Sequence, residues 1–286
     1  KEQNDQPFFM GIGFVRPHTP LNAPDKYFNM FPIETLQLPK WIEDDINDTY
    51  YLENFGDKLK GSKYYKTILA SFSGDREMAL KNFLQAYLAC VAFVDEQIGK
   101  VVKAIENSPY SDNTVIIFTS DHGWQMGEKN YLFKNSPWEE SARIPLIFKL
   151  PNQEEGSEVD QPVSLIDIFP TLIDLCNLKG NYRKNVNGGD IGGFSLKPLL
   201  YDNGKWQGPD GALTLVGNNG HSKSENEQTY SYRTRQFRLI RYGNGKIELY
   251  DHYKDPHEWQ NIANDKKNKK LIQQLNNEMD NILINR

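Results

Sequence analysis

The chain has 286 residues, a formal net charge of -5 and two cysteines. This length suffices for one large domain, or for a core domain with a smaller satellite. The 33 basic and 38 acidic side chains are balanced along the sequence, and no long basic run could neutralise a phosphate backbone, which argues against nucleic acid as a partner. No apolar stretch approaches the roughly 20 residues of a membrane span.

The two cysteines, Cys90 and Cys176, each lie in an apolar helical pattern. This pattern predicts two buried thiols and no disulfide framework. The chain begins with Lys1 in a polar run, without a Met and an apolar export segment, so we expect that processing or truncation has removed an upstream piece.

The first half of the sequence predicts strands and one long helix. The apolar run at residues 8–15 (FFMGIGFV) is typical of a strand covered on both faces, whereas residues 19–73 predict long loops with short helices. Apolar residues recur at three- and four-residue steps from 75 to 106, which predicts an amphipathic helix. Residues 114–120 (TVIIFTS) predict a second buried strand, so strand, helix and strand would form a right-handed crossover unit.

The second half predicts a third strand at residues 144–150, a helix at 164–178 and a separate sheet. Alternating segments after about residue 180 favour an antiparallel sheet with one solvent-exposed face. The alternating segments are residues 213–216, 230–242 and 246–250. Residues 268–284 predict an amphipathic C-terminal helix.

The predicted fold class is therefore α/β, with a smaller antiparallel subdomain after the main sheet. We place the division between an α/β core at residues 1–180 and an α+β subdomain at residues 181–286.

The strongest chemical signal is Ser120-Asp121-His122-Gly123, directly after a predicted strand. Ligands of open α/β sheets bind beyond the carboxyl ends of the strands, so Asp121 and His122 would lie at the functional edge. An adjacent carboxylate and imidazole, followed by a glycine that allows a sharp turn, can share one metal ion. A polar turn that caps the next element is the alternative interpretation.

His18 and Lys134 are further candidates. His18 follows the first predicted strand, between Pro17 and Pro20, which restrict the backbone around it. Lys134 lies in an aromatic segment beyond the metal candidates, where an ammonium could neutralise an anionic substrate oxygen. Taken alone, a loop histidine or lysine is more often a solvated surface residue.

Four segments together resemble the sulfatase family of the alkaline phosphatase superfamily, and most closely its iduronate-2-sulfatase branch. In family order they are FFMGIGFVRPHTP at 8–20, FVDEQIGKVVKAI at 93–105, VIIFTSDHGWQMGEKNYLFK at 115–134 and RIPLIFKLP at 143–151. The tail at 238–265 resembles the family's C-terminal subdomain, so the resemblance covers nearly the whole chain, with a partial alkaline-phosphatase-like sheet flanked by helices as the implied core.

The resemblance implies roles for individual residues. Asp121 and His122 match metal ligands, with calcium as the family's usual ion, although an imidazole ligand is less typical of calcium and leaves magnesium or another divalent ion open. Lys134 matches the lysine that contacts the sulfate group, and His18 matches the histidine at the sulfate or leaving oxygen. Trp124 is a predicted substrate-binding residue, because its indole ring could stack against a sugar face.

A further match lies near the C-terminus, in Asp255, Pro256, Glu258 and Trp259. We expect these four residues to form a turn and to pack, and we do not include them among the catalytic residues.

The resemblance also implies a nucleophile that is not found in these 286 residues. Sulfatases carry an upstream Cys or Ser in a C/S-x-P-S/A-R motif, which is oxidised to formylglycine, and an upstream pair of metal-binding aspartates; neither occurs in this sequence. We therefore expect the chain to be the C-terminal part of the enzyme, inactive without an N-terminal fragment, which either accompanies it as a second chain or has been removed by truncation.

The implied activity is hydrolysis of sulfate esters of carbohydrates, with 2-O-sulfated uronic acid units of glycosaminoglycans as the expected substrate. The metal and Lys134 would offset charge on the sulfate oxygens, and His18 would bind or protonate the ester oxygen. Tyr131 and Trp138 could stack against the sugar or fill the core. Two alternatives stay open: a phosphate or phosphonate ester hydrolase of the same superfamily, and a non-catalytic sulfated-glycan-binding pseudoenzyme.

The family's usual compartments predict a periplasmic or secreted protein, or a lysosomal one in a eukaryote. Asn47-Asp48-Thr49 is a glycosylation sequon, but the few cysteines and many Asn and Lys residues favour the bacterial periplasm.

Overall fold

The computed structural model of the chain describes residues 6–56, 59–183, 186–201, 205–217 and 227–284. The chain divides into two compact units: Lys1–Leu38 with Ile68–Thr114, and Pro39–Thr67 with Val115–Arg286. The division expected at residues 180 and 181 stays a prediction.

Within these ranges, four helices come first and the strands follow, with the last four strands consecutive. The helices are α1 (Asp25–Phe28), α2 (Tyr51–Phe55), α3 (Lys60–Ser71), α4 (Arg76–Glu106), α5 (Glu139–Ala142), α6 (Ile168–Leu175), α7 (Lys197–Leu200) and α8 (Lys269–Ile284). The strands are β1 (Ile116–Thr119), β2 (Gln125–Met126), β3 (Leu132–Phe133), β4 (Leu146–Lys149), β5 (Gly211–Val216), β6 (Thr229–Thr234), β7 (Phe237–Arg241) and β8 (Ile247–Asp251).

The first unit is built around α4, the long helix that the apolar periodicity predicts. The Asp75 carboxylate accepts a hydrogen bond of 3.0 Å from the Met78 amide and so caps the free N–H groups of the first turn. Lys26 and the Tyr27 hydroxyl of α1 both donate to Glu96, at 2.7 and 2.8 Å. These bonds fix the short helix against the long one.

Residues 8–15 do not form the predicted strand. They are exposed, with Phe9 at 85% and Val15 at 73% of full accessibility, and pair with no strand of the described chain. An extended apolar segment becomes a strand only where a neighbour takes up its N–H and C=O groups. The predicted crossover unit is therefore absent from these residues, and β1 pairs antiparallel with β4 instead.

The strands β1 and β4 lie where the sequence predicts them. They are more exposed than expected, since Phe118 and Ile147 remain accessible on this two-stranded ladder. Their pairing still places the exit of β1, and with it Ser120 and Asp121, beside the start of β4, because Thr119 lies opposite Leu146.

The predicted C-terminal antiparallel sheet is confirmed. Its strands follow the order β5-β6-β7-β8, so that each pair of neighbours is consecutive in the chain. One face of the sheet packs against α8, as the amphipathic pattern of the tail predicts. The buried side chains of this face are Leu213, Tyr230, Tyr232, Leu239 and Leu249, with Leu275 and Met279 from the helix.

The opposite face was expected to meet solvent, and this expectation is wrong. Ser231, Arg238 and Glu248 on that face are all buried. The layer that covers it consists of α2, the segment after it, and the residues just before β3 and α5. These contribute Tyr51, Leu59, Tyr131 and Trp138. Strand alternation determines which residues share a face, but not whether another layer covers that face.

The helix predicted at 164–178 forms as a short 3-10 turn followed by α6. The Ser164 hydroxyl and the Asp167 carboxylate form a reciprocal capping box at the start of the 3-10 turn. Pro170 lies in the first turn of α6, where backbone N–H groups have no acceptor within the helix, so the lack of an N–H costs no hydrogen bond. Cys176 follows the last helical residue and is exposed, so its predicted burial is wrong; Cys90 in α4 is buried as predicted, and both thiols are free.

None of the helices in the described ranges combines the length and apolarity that crossing a membrane requires.

Candidate active site

The predicted metal ligands and the predicted sulfate-binding lysine flank one short hairpin. The strands β2 and β3 pair antiparallel with Gln125 opposite Phe133. Trp124 therefore precedes one strand, and Lys134 follows the other, at the same open end. The turn that carries Asp121 and His122 thus leads into one strand of the hairpin, and Lys134 follows the other.

Asp121 and His122 form a close pair. The Nε2 atom of His122 lies 3.6 Å from Oδ1 of Asp121, and the Asp121 side chain is 82% exposed. Nδ1 of His122 donates 2.7 Å to the carbonyl of Gly123, which can only accept, so Nδ1 carries the hydrogen and Nε2 faces the carboxylate. A proton or a cation between Nε2 and Oδ1 would make this arrangement favourable.

These two atoms fit ligation of one divalent ion. Ligands that lie about 2.0 to 2.5 Å from an ion are themselves roughly 3 to 4 Å apart, as these two are. The hydrogen bond from Nδ1 fixes the tautomer and the ring orientation, as a supporting bond does for metal-binding histidines in general.

Gly123 is required for a reason that the sequence did not indicate. It is not among the glycines with positive φ, so the expected sharp turn does not explain it. Its amide donates to the Ser141 carbonyl at 2.9 Å, and an added Cβ would overlap the Glu140 carbonyl oxygen and lie 2.6 Å from that of Arg143. Only glycine allows this close approach to α5.

Lys134 lies in a strained, aromatic segment. Phe133 before it and Asn135 after it both have left-handed φ values, of 74° and 66°. Such conformations are unfavourable for L residues and persist only where the surrounding structure imposes them. Among the described residues, none forms a hydrogen bond or ion pair with the Lys134 ammonium, which leaves it available for an anionic ligand.

The aromatic side chains near Lys134 differ in accessibility. Trp124 packs its ring edge-to-face on Phe133 at 5.0 Å, and its predicted contact with substrate stays a prediction. Tyr131 and Trp138 are almost fully buried in the layer over the C-terminal sheet. Their interpretation as core residues is therefore confirmed, and stacking against a sugar is excluded for them.

His18 is exposed and lies in the first unit, apart in sequence from the hairpin. Nδ1 of His18 donates 2.6 Å to the Thr19 carbonyl, and its backbone N–H donates 2.9 Å to Val15. The Arg16 side chain donates to the carbonyls of Asn22 and His18, at 2.9 and 3.3 Å, which closes the turn around the ring. A role of His18 at the hairpin stays a prediction.

A buried charge cluster beside α5 was missed by sequence reasoning. Glu139 Oε2 accepts from Arg238 and, at 3.2 Å, from Arg233. Glu258 Oε1 accepts from Arg238 at 2.5 Å and from His252 at 2.8 Å. The available signals were the Asp255 to Trp259 motif and the arginines within the predicted strand segment, Arg233 and Arg238.

Arginine neutralises this cluster. Burial raises the pKa of Glu258, but the charge of Arg238 and the hydrogen bond from His252 outweigh burial and lower it to about 2. One ligand atom each from Glu139, His252 and Glu258 lies within 4.8 Å of the others, which is close enough for a metal ion. The guanidinium groups already supply the positive charge that an ion would bring, so we interpret the group as an ion-pair network.

Sequence comparisons relate the chain to sulfatases. The sulfatase profile matches residues 1–178, and that of the N-sulphoglucosamine sulphohydrolase C-terminal domain matches residues 127–285. A sulfatase of Formosa agariphila is 37% identical over 94% of this chain and 49% of its own length, and an arylsulfatase of Clostridium perfringens is 31% identical over 94% and 52%. The chain thus spans about half the length of the curated relatives it matches.

Solved structures share the fold at low sequence identity. A phosphonate monoester hydrolase of Agrobacterium radiobacter superposes with a TM-score of 0.76 at 23% identity, covering 99% of this chain and 58% of its own. An enzyme solved with its substrate D-glucosamine-2-N,6-O-disulfate gives 0.68 at 23% identity, covering 94% and 64%. A structure described as a 2-O GAG sulfatase gives 0.65 at 22% identity, covering 92% and 57%.

Proposed function

The chain belongs to the sulfatase family, and from that premise we propose that it forms part of a metal-dependent sulfatase acting on sulfate esters of carbohydrates. The observation that supports this most directly is the β2–β3 hairpin. The Asp121–His122 pair, which is suited to a divalent ion, lies on the turn before its first strand. The Lys134 ammonium, which has no partner in the described structure, follows its second strand. Positive charge at such a place stabilises the negative charge of a sulfate ester.

In this proposal, each residue has a separate task. Asp121 and His122 hold the divalent ion, with calcium as the expected metal, which supplies positive charge to the sulfate oxygens when bound. Lys134 binds another sulfate oxygen, and Trp124 contacts the sugar. His18 binds the ester oxygen or gives it a proton, which suits an imidazole near neutral pH.

The nucleophile and the remaining metal ligands come from outside these 286 residues in this proposal, as a formylglycine and a pair of aspartates on an N-terminal segment. The match of the chain to about half of each relative supports such a segment. The exposed apolar residues of 8–15, including Phe9 and Val15, provide a surface for it to cover. We further assign residues 1–180 to the catalytic core and 181–286 to the subdomain.

The proposed substrate is a 2-O-sulfated uronic acid unit of a glycosaminoglycan, as in the iduronate-2-sulfatase branch. Named relatives support carbohydrate sulfates in general: one is an N-acetylglucosamine-6-O-sulfatase of Bacteroides thetaiotaomicron, and two structural neighbours are described with a glucosamine disulfate and as a 2-O GAG sulfatase. Because polymeric sulfated glycans are extracellular, we propose a periplasmic or secreted location, or a lysosomal one in a eukaryote.

The decisive experiment measures kcat/KM of the complete enzyme on 4-nitrophenyl sulfate and on a 2-O-sulfated disaccharide, with and without calcium. We expect Lys134→Ala and Asp121→Asn each to lower kcat/KM by about a hundredfold or more, because each removes charge stabilisation from the transition state. Lys254→Ala is the matched control, since its ammonium lies on the exposed surface of the same unit. Full activity in Lys134→Ala, or in the presence of a chelator, would contradict the proposal.

One observation favours a second function, hydrolysis of phosphonate or phosphate esters. The highest of the three TM-scores given above belongs to a phosphonate monoester hydrolase. Comparing kcat/KM on 4-nitrophenyl phenylphosphonate with that on 4-nitrophenyl sulfate separates the two, and a larger value for the phosphonate would favour the second. A non-catalytic glycan-binding protein would instead bind sulfated sugar equally well with and without calcium and hydrolyse none of these esters.

A further inference from the structure

The turn that carries the candidate metal ligands rests on the backbone of α5. The amides of Gly123 and Trp124 donate to the carbonyls of Ser141 and Glu140, at 2.9 and 2.5 Å. The missing side chain of Gly123 allows this contact. Any movement of α5 therefore moves the turn that holds Asp121 and His122.

The segment that carries Lys134 rests on a buried lysine. The Lys129 ammonium donates to Asp45 at 2.8 Å and to the backbone carbonyl of Glu258 at 2.5 Å, and its amide donates to Asp45 at 3.2 Å. Lys129 and Asn130 both have left-handed φ values, of 51° and 53°. Because this backbone conformation is unfavourable, it depends on the contacts around Lys129.

Glu258 contacts both of these supports through different groups. Its Oε2 atom accepts from the Glu139 amide at 2.9 Å, at the first residue of α5, while its carbonyl accepts from Lys129. Its Oε1 atom accepts from Arg238 and His252, so the carboxylate is fully bonded. Glu258 is buried and itself has a left-handed φ of 57°.

We propose that Glu258 is a positioning residue, which fixes the Asp121–His122 pair relative to Lys134 by holding α5 with its carboxylate and Lys129 with its carbonyl. This inference rests on the function proposed above for those three residues. Glu258 touches neither metal nor substrate in it and acts only through the two supports. A site misplaced by as little as 1 Å can lose about a hundredfold in rate.

The test compares Glu258→Gln with wild-type complete enzyme. Glutamine keeps the side-chain size but loses the charge, so it cannot accept from Arg238, His252 and Glu139 together. We expect amide hydrogen exchange of residues 121–124 and 127–135 to accelerate by about tenfold. The lost carboxylate contacts release α5 directly, and they also loosen the backbone of residue 258, whose carbonyl accepts from Lys129. We also expect kcat on 4-nitrophenyl sulfate to fall by about a hundredfold and the calcium concentration for half-maximal activity to rise.

Met279→Ala is the matched control, because it destabilises the same sheet from the α8 face without touching either support. All variants are measured at the same temperature interval below their own Tm. Glu258→Asp, which keeps the charge, covers the case in which the glutamine variant does not fold. We expect its shorter side chain to withdraw from Glu139 and accelerate exchange at Gly123 and Trp124 by about threefold.

Selective acceleration in the Glu258 variants, with wild-type exchange at both segments in Met279→Ala, supports the proposal. The proposal is overturned if the Glu258 variants exchange as wild type there, or no faster than Met279→Ala. Hydrogen exchange does not require turnover, so a wild-type enzyme that hydrolyses no sulfate ester would refute the proposed function while leaving the positioning role decided by exchange.

Discussion

The two faces of the C-terminal sheet are made from the same four strands and have opposite chemistry. The face toward α8 is an apolar cluster in which Leu239, Leu249 and Met279 are completely buried. The face toward α5 contains Arg238, Glu248 and two tyrosines, Tyr242 and Tyr250, that donate hydrogen bonds to Glu248, and it is buried just as deeply.

The polar face is satisfied internally. Glu248 accepts hydrogen bonds from the Tyr50 amide, the hydroxyls of Tyr242 and Tyr250, and the Trp138 indole, at 2.6 to 3.0 Å. Burial raises the pKa of Glu248 even so. Apolar packing tolerates small losses of fit, whereas a buried charge without its partner is costly. The polar face should therefore be more sensitive to single substitutions than the apolar one.

The largest effect is expected where the polar face loses its central cation. Arg238→Met would leave Glu139 and Glu258 buried without their main partner, and we expect the free energy of unfolding to fall by about 4 kcal/mol. Urea unfolding followed by circular dichroism measures this. Arg241→Met on the same strand is the control, because its ion pair with Asp280 is partly exposed. Similar losses of unfolding free energy in Arg238→Met and Arg241→Met would contradict the greater sensitivity expected of the polar face.

Acid should weaken the polar face next. The pKa of Glu258 is about 2 in the folded protein against 4.5 for the free side chain, because Arg238 and His252 outweigh its burial. A carboxyl with a lowered pKa adds stability above 4.5, and this is lost as the pH falls toward 2. The shift corresponds to roughly 3 kcal/mol, which we expect to be absent in Glu258→Gln.

The measurement is urea unfolding of wild type and Glu258→Gln between pH 5 and pH 2. The difference between the two isolates Glu258 from Glu248, whose raised pKa gives the opposite sign: its contribution is present below 4.5 and lost as the pH rises through the folded value. Parallel curves for the two proteins would show that folding does not shift the pKa of Glu258, and would contradict the expected loss.

A smaller loss is expected on the apolar face. Met279→Ala removes a fully buried side chain from between α8 and the sheet, and we expect the free energy of unfolding to fall by roughly 2 to 3 kcal/mol, with little change in its pH dependence. Met279→Leu, which keeps the volume, is the control and should lose less than about 1.5 kcal/mol. A loss larger than that of Arg238→Met would reverse the ranking of the two faces.

The smallest effect is expected at the edge of the apolar face. Asp280→Asn removes the ion pair of 2.7 Å with Arg241, in which both side chains are partly exposed. Exposed pairs contribute at most about 1 kcal/mol, and we expect a loss below that value which disappears in high salt. A salt-independent loss would indicate that the pair is screened from solvent.

The elements that the sequence predicted well depend on local information. The periodicity of α4 and its start after Asp75 are set within a few residues, and both are confirmed. The strand pattern also located the C-terminal sheet, because alternation is a property of each strand by itself, although the single segment predicted at 230–242 forms two strands, β6 and β7.

The features that were missed depend on segments distant in sequence. Residues 8–15 have the composition of a strand but no pairing partner in the described chain, and the polar face of the sheet is covered by Tyr51 and Trp138, which periodicity cannot locate. At the site, the proximity of Asp121 and His122 follows from their adjacency. Glu258 contacts Lys129 and Glu139 from more than 100 residues away, and its motif indicated a turn and packing but not these partners.

The contrast between the two cysteines makes the chain suitable for a labelling experiment without engineering. The exposed thiol of Cys176 can react with a maleimide dye in the native protein. Cys90 on α4 is fully buried, and burial raises the pKa of its thiol. Modification of Cys90 would then report the opening of the first unit. The rate of that reaction, followed by mass spectrometry, would measure how often α4 unfolds locally.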